Sequence, residues 1–266
     1  MRLVDDLRRT ITLRRPARRV LSLAPAIAEN IAAIDGLPFL VGVSTADSFP
    51  SEVTRLPRIG DFGRYAYERI LALKPDLAIV EIGKVDAATI ANAERKMRCP
   101  ILVQISRNYD DVPRHLRQLG VALGREKQAE PVARQMEQRL RKVAALPPLK
   151  PAPTVFIEVS RTPLYSAGPG SFPDDLIRRA GGVNVVRTAD PYPVFSREAL
   201  VAADPEHYIV AGGGDMSEAD TKLPPPFDRL RAARNGNIHR IPADWLFRPT
   251  PRLADGLERL ARVLRT

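Results

Sequence analysis

Cysteine is almost absent from this sequence. Cys99 stands alone, which excludes an intrachain disulfide. It sits just ahead of the apolar run Ile101 to Ile105, the place of a core thiol rather than a nucleophile. A reactive thiol needs a base beside it, and no local spacing supplies one. Histidine is nearly as scarce: His115, His207 and His239 are scattered and form no zinc-ligand spacing. Long apolar runs are missing too. The strongest, such as Leu77 to Val80, are strand-sized, far below the roughly 20 residues that span a bilayer. Residues Met1 to Arg19 are charged throughout, without the apolar segment and cleavage site of an export signal. Two expectations follow: a cytoplasmic protein, or a mature form whose export signal has been removed.

Catalytic signatures are also lacking. The glycine loops Gly168 to Gly170 and Gly212 to Gly214 match neither a dinucleotide fingerprint nor a phosphate loop, and read as tight turns or places of close backbone approach. There is no G-x-S-x-G elbow and no H-E-x-x-H pair. Carboxylates such as Asp174-Asp175 most simply supply charge to a helix N-terminus. The expectation is a protein that is not an enzyme and holds no metal of its own.

What is present is a globular composition. Of 266 residues, 44% are hydrophobic and 27% charged, enough to bury one large core or two smaller ones. The net charge of +10 comes from arginines spread along the whole chain, with Asp or Glu beside them in most helices. No basic motif is interleaved with aromatics, so solvated helix faces explain the charge better than nucleic acid.

The apolar pattern alternates strand and helix. Strands are predicted at Arg19 to Leu23, Phe39 to Val43, Leu77 to Glu81 and Ile101 to Ile105, after a hairpin arm over Leu3 to Leu13. Helices are predicted at Ala26 to Ile34, Tyr67 to Leu73, Ala87 to Met97 and Asp111 to Leu123. Apolar strands separated by helices imply a mostly parallel sheet covered on both faces. A long helix then runs over Glu126 to Leu146, with Val132, Met136, Leu140 and Val143 on one face, and a proline cluster from Pro147 to Pro153 stops it. The alternation restarts with strands at Thr154 to Val159, His207 to Val210 and Ile238 to Ile241. Helices are predicted there at Asp174 to Ala180, Arg197 to Ala202, Phe227 to Ala232 and Arg252 to Leu264. The two halves share a signature: Glu68-Arg69-Ile70 before K-P-D-L-A-I-V, and Arg197-Glu198-Ala199 before D-P-E-H-Y-I-V. The expected fold is α/β, with two Rossmann-like lobes built on central, mostly parallel sheets and joined by one long rigid helix. The expected boundaries are 1–123 for an N-terminal lobe, 124–148 for the helix and 149–266 for a C-terminal lobe, with a cleft between the lobes.

Aromatic residues recur in the loops at strand ends: Phe62 and Tyr65, Tyr192 within P-Y-P, and the single tryptophan Trp245 with Phe247 in D-W-L-F-R-P-T-P. In open α/β sheets ligands bind at such strand ends. Flat aromatic walls with a few polar groups suit a large planar ligand.

These residues carry a resemblance. The chain resembles the class III substrate-binding proteins of ABC importers, which carry cobalamin, haem and iron–siderophores, and is most similar to the cobalamin binders. The likeness runs from R-R-V-L-S-L-A-P-A-I-A-E-N (Arg18 to Asn30) to the final helix. It includes V-G-V-S-T-A-D-S-F-P (Val41 to Pro50), Y-E-R-I-L-A-L-K-P-D-L (Tyr67 to Leu77), P-Y-P-V-F-S-R-E (Pro191 to Glu198) and D-W-L-F-R-P-T-P-R (Asp244 to Arg252). The resemblance implies ligand contacts from Phe62, Arg64, Tyr65, Tyr192, Asp244, Trp245, Leu246, Phe247 and Arg248. It also implies that Glu68 and Glu198 dock onto arginines of an ABC transporter permease. The implied role is capture of cobalamin or a related corrinoid by a monomeric, periplasmic protein without a resident cofactor, the metal chelate being the transported ligand. Ala46 and Phe247 depart from the cobalamin binders' pattern, so a haem or ferric-siderophore binder of the same class stays open. There Tyr65 would coordinate iron and Arg64 would meet an anionic ligand. A cytoplasmic corrinoid-handling protein is the remaining alternative.

Overall fold

A computed structural model describes residues 1–61, 63–212 and 222–266. They form two compact units: Met1–Ser106 with Asp110–Gln135, and Arg107–Tyr109 with Met136–Thr266. Both are α/β, as the apolar strand pattern implies.

In the first unit, β1 (Arg2–Val4) and β2 (Thr10–Thr12) pair antiparallel as the expected hairpin arm, with Leu3 opposite Ile11 and both buried. There follow β3 (Val20–Ser22), α1 (Pro25–Ala33), β4 (Leu40–Val43), the short hairpin β5 (Gly60–Asp61) and β6 (Arg64–Tyr65), and α2 (Tyr67–Leu73). Then come β7 (Leu77–Glu81), α3 (Ala87–Met97), β8 (Ile101–Gln104) and α4 (Asp111–Leu123). The sheet runs β4-β3-β7-β8, and every pair in it is parallel. Its strands are buried almost throughout, which is why they read as continuous apolar runs rather than alternating ones. Asp86 caps α3 by accepting from the Thr89 amide at 2.7 Å. Cys99 is a core residue, its thiol pushed up to about 12 by burial and by the nearby Glu94 and Asp76 carboxylates.

The long helix α5 (Glu126–Ala144) stops ahead of Pro147, and the division between the units falls inside it, after Gln135. Its buried stripe is Ala129, Ala133, Met136 and Val143.

The second unit holds β9 (Thr154–Arg161), β10 (Leu164–Ser166), α6 (Phe172–Ala180), β11 (Val183–Asn184) and α7 (Arg197–Ala203). It continues with β12 (His207–Gly212), α8 (Arg231–Arg234), β13 (Ile238–Pro242), α9 (Asp244–Phe247) and α10 (Leu253–Val263). β9, β12 and β13 run parallel, with β13 at one edge of the strand order and antiparallel β10 at the other, and β11 pairs parallel with β9. Phe156, Tyr208, Phe227 and Leu230 dominate one core cluster.

Two predicted elements change. The helix expected over Phe227 to Ala232 is a short 3-10 turn, Phe227–Arg229, followed by α8, because Leu230 between them is extended and buried. The expected loop after β13 begins with a helical turn, α9. Asp174 and Asp175 do lie in the first turn of α6, behind the Ser171 cap, and Arg178 and Arg179 pair with them at 3.2 and 2.7 Å. The scattered histidines are partly gathered: His207 and His239 stack at 5.6 Å on neighbouring strands. Among the described residues no group of three or more His, Cys, Asp or Glu is placed to hold a metal.

Candidate ligand-binding surface

In the second unit the chain builds an aromatic face from two segments. The first is α9, which follows β13 directly. The Ala243 amide donates to the Gly212 carbonyl at the end of β12, 3.0 Å away, and Leu246 and Phe247 amides return to the Ala243 carbonyl. One helical turn therefore starts where two parallel strands end. It buries Leu246 completely and leaves Asp244, Trp245, Phe247 and Arg248 part-exposed. Leu246 is thus a core side chain, which corrects the expectation that it meets a ligand: the helical turn rotates it inward. The turn is held by a close approach. A Cβ on Gly256 of α10 would sit 2.0 Å from the Trp245 carbonyl oxygen, so only glycine lets α10 pass there.

The second segment is Asp190 to Phe195. The Tyr192 amide donates to the Asp190 carboxylate at 2.9 Å, and the Phe195 amide to the Leu164 carbonyl at 2.8 Å. Tyr165 and Val194 form an antiparallel bridge. The loop is thereby stitched to the edge strand β10. Phe195 turns inward onto Phe156 at 5.5 Å, while Tyr192 stays 41% exposed. Its ring lies 6.2 Å from that of Phe247. Val194 and Tyr165 are exposed apolar neighbours of Tyr192 along the same stitch. Sequence reasoning missed both because it ended the preceding strand at Val159 and did not foresee β10.

Charge at this face is paired rather than loose. Asp244 meets Arg248 at 3.0 Å and Arg252 at 3.3 Å. A carboxylate held between two guanidiniums offers acceptor and donor groups side by side at the edge of the aromatic rings.

In the first unit, Arg64 and Tyr65 lie on the β5–β6 hairpin, paired with Asp61 and Gly60. Gly60 has φ of +90°, and a Cβ there would meet the Arg64 carbonyl oxygen at 2.2 Å. Asp61 is held by the Thr45 hydroxyl. Arg64 is exposed and, among the described residues, has no ion-pair partner. Tyr65 turns its ring inward, edge to face with Tyr67 at 6.1 Å, and its hydroxyl oxygen is enclosed. Burial, then the neighbouring Tyr67 and Asp61, push its phenol well above the ordinary range. Phe62 lies outside the described residues.

Glu68 and Glu198 occupy the same position in each unit, the second residue of α2 and of α7. Both are exposed, and among the described residues neither has an ion-pair partner. Each helix ends on a left-handed residue, Lys74 or Asp204, followed by proline and an acidic residue.

Comparison with known proteins bears on this architecture. A family model described as "Periplasmic binding protein" matches residues 20–245. An uncharacterized ABC transporter substrate-binding lipoprotein of Bacillus subtilis is 24% identical over 98% of this chain and 84% of its own length. A vitamin B12-binding protein of Vibrio parahaemolyticus is 27% identical over 91% of this chain and 87% of its own. The crystal structure of the periplasmic vitamin B12 binding protein of Vibrio cholerae superposes with a TM-score of 0.81 at 26% identity, covering 94% of this chain and 97% of that one. A periplasmic haem-binding protein from Pseudomonas aeruginosa gives 0.76 at 28% identity, with 93% and 92% covered. The family match spans most of the chain, both units included, and so the chain belongs to the periplasmic binding protein family and is a binding protein rather than an enzyme.

Proposed function

We propose that this chain is the substrate-binding component of an ABC importer, working outside the cytoplasmic membrane, and that it takes a corrinoid of the vitamin B12 type. The observation that carries the ligand reading is the face made by Tyr192 and Phe247, rings 6.2 Å apart, with Asp244, Arg248 and Arg252 at its edge. The two rings, tilted 51° to each other on stitched backbone, present an angled apolar wall. The adjoining carboxylate and guanidiniums suit the amide arms that ring a corrin. Burial of that wall drives binding at about 25 cal/mol per Å², before ordering costs. The vitamin B12-binding relatives, similar along nearly their whole length, support the same ligand class. Arg64 and Tyr65, with Phe62, are proposed as further contacts on the strength of the motif likeness. Glu68 and Glu198 are proposed to meet basic residues of the permease, setting register and encounter more than affinity.

Haem is the second reading, favoured by the Pseudomonas aeruginosa neighbour and by Arg64, a cation without an ion pair among the described residues that would suit a propionate. The inward, neutral Tyr65 phenol argues against ligation of iron by that residue. The experiment is a titration of the purified chain with cyanocobalamin, cobinamide, haemin and a ferric siderophore, followed by Trp245 emission and by calorimetry. Saturable heat with the two corrinoids and none with haemin is the expected result. A haemin absorbance band without any response to corrinoids would replace the corrinoid reading with the haem one.

A further inference from the structure

A cavity of about 210 Å³ opens in the first unit beside β6 and α3. Its floor is core: Leu23, Val80 and Ile90 are at most 3% exposed. One wall is the edge-to-face pair Tyr65 and Tyr67. At the rim stands Lys96, from the last turn of α3, with its Nζ 5.3 Å from the centre of the Tyr67 ring.

Core packing explains neither the open floor nor the lysine. Interiors are close-packed, and a hollow larger than the roughly 150 Å³ that holds a benzene is uncommon. Lys96 faces an aromatic ring and, among the described residues, has no carboxylate partner. Lys96 is exposed, so its ammonium can meet a partner from solvent while it stays over the ring. An anion reaching the rim would complete the pair, and a flat apolar body behind that anion would fill the floor. We infer that this cavity binds a compact aromatic carboxylate, its ring system against Tyr65 and Tyr67 and its carboxylate on Lys96 Nζ.

The cavity shares Tyr65 with the contacts proposed for the corrinoid, while Lys96, Ile90 and Ala93 belong to it alone, and its test uses no corrinoid. The full chain is titrated with naphthoate and with neutral naphthamide by calorimetry. One-to-one binding is expected, with the acid about fivefold tighter than the amide, the size of one partly exposed charge pair. Lys96→Met brings the acid down to the level of the amide, and Lys96→Gln does the same if the apolar stem proves disruptive. Ala93→Leu, which extends a side chain into the cavity, removes binding of both. Lys142→Met, an exposed lysine of the second unit, leaves both unchanged. Absence of saturable binding, equal affinity for acid and amide, or an unaltered acid affinity in both Lys96 variants overturns the inference.

Discussion

Thr154 and Glu206 hold each other in both directions. The Thr154 amide donates to Glu206 Oε2 at 2.8 Å, and the Glu206 amide donates back to the Thr154 carbonyl at 3.0 Å. The first unit repeats the device. There the Arg19 amide donates to the Asp76 carboxylate at 3.0 Å, and the Asp76 amide returns to the Arg19 carbonyl at 2.9 Å. In both, the acidic residue follows a left-handed residue and a proline, Lys74-Pro75 or Asp204-Pro205. The shared K-P-D and D-P-E signatures therefore mark one construction: a helix is stopped, and the start of its strand is bolted to the start of the neighbouring strand.

That construction predicts a stability effect. Glu206→Ala leaves the part-buried Thr154 amide without its acceptor, which costs about 1–3 kcal/mol, and Asp76→Ala, whose partner amides are exposed to water, costs less. Glu206→Gln keeps an oxygen in place and loses less than half of that. Urea unfolding of the variants measures both. Equal losses for Ala and Gln would show that charge, through Arg231 at 3.2 Å, outweighs the backbone bonds.

Gly256 tests how α9 is placed. A methyl group there would lie 2.0 Å from the Trp245 carbonyl oxygen, so Gly256→Ala forces α9 and α10 apart. The expected cost is about 2–3 kcal/mol, typical of overpacking against backbone. Trp245, the only tryptophan, reports the shift through its emission maximum. Unchanged emission together with unchanged stability would mean that the two helices have room to separate.

Glu81 predicts a pH dependence. It is the last residue of β7, accepts from both the Ser106 amide and hydroxyl at 2.9 Å, and faces Asp6, Asp111 and His115. Burial raises its carboxyl to about 7 from the usual 4.5, with Asp6 and Asp111 adding to the push and the Ser106 bonds opposing it. The folded state thus binds this proton more tightly than the unfolded chain. Its stabilisation is complete below about pH 4.5 and is lost as pH rises through 7, by an amount of order 3 kcal/mol. Burial pushes Asp6 upward as well. Bonds from His115, Arg114 and the Ile105 amide outweigh that push and hold it well below the carboxylate range, so it stays ionised across this window. Glu81→Gln should be the more stable protein at pH 8.5 and gain nothing at pH 5, as read from urea midpoints. A midpoint difference that does not change with pH would sink this account.

β3, β7, β8 and β12 were legible because they are buried almost throughout and read as apolar runs, whereas β13, I-H-R-I-P, is only part-buried. The end of α5 followed from the prolines after it, whereas α6 starts at Phe172, ahead of the expected Asp174, because Ser171 caps it. What escaped was set by tertiary contact. β10 and β11 have three and two residues, too few to show a period. The helical turn of α9 depends on the Gly212 carbonyl and on the room that Gly256 leaves, neither visible in D-W-L-F-R-P-T-P. Leu246 was for that reason grouped with the surface residues when it belongs to the core. Tyr165, which lies in no motif, and Val194, which P-Y-P-V-F-S-R-E contains without marking it, came to light only as partners across an edge strand. The pairing of His207 with His239 likewise needs strand order, which spacing alone does not supply.

Glu68 and Glu198 separate transport from binding. Both are exposed at the start of their helices, so Glu68→Lys and Glu198→Lys should leave the fold and the ligand affinity intact. Reversal of both charges should reduce uptake in a reconstituted importer at least tenfold, through loss of encounter and register. If uptake survives the double reversal, docking does not run through these residues.

The face of Tyr192 and Phe247 makes the sharpest claim about the ligand. Phe247 departs from the pattern of the cobalamin binders that the chain resembles, so stacking on its ring is expected to supply part of the contact. Tyr192→Ala and Phe247→Ala should each weaken cyanocobalamin binding about tenfold or more, since each removes a ring that ligand burial would desolvate. Their effects should not add, because the rings are neighbours at 6.2 Å and share one ligand surface. Asp244→Asn tests the edge of the same face. It releases Arg248 and Arg252 from their carboxylate, so it should weaken a neutral corrinoid and strengthen an anionic one. Calorimetry with cyanocobalamin and with haemin on the three variants reads all of this. Unchanged affinity in both ring variants, or a stronger grip on cyanocobalamin in Asp244→Asn, would mean that the ligand does not lie on this face.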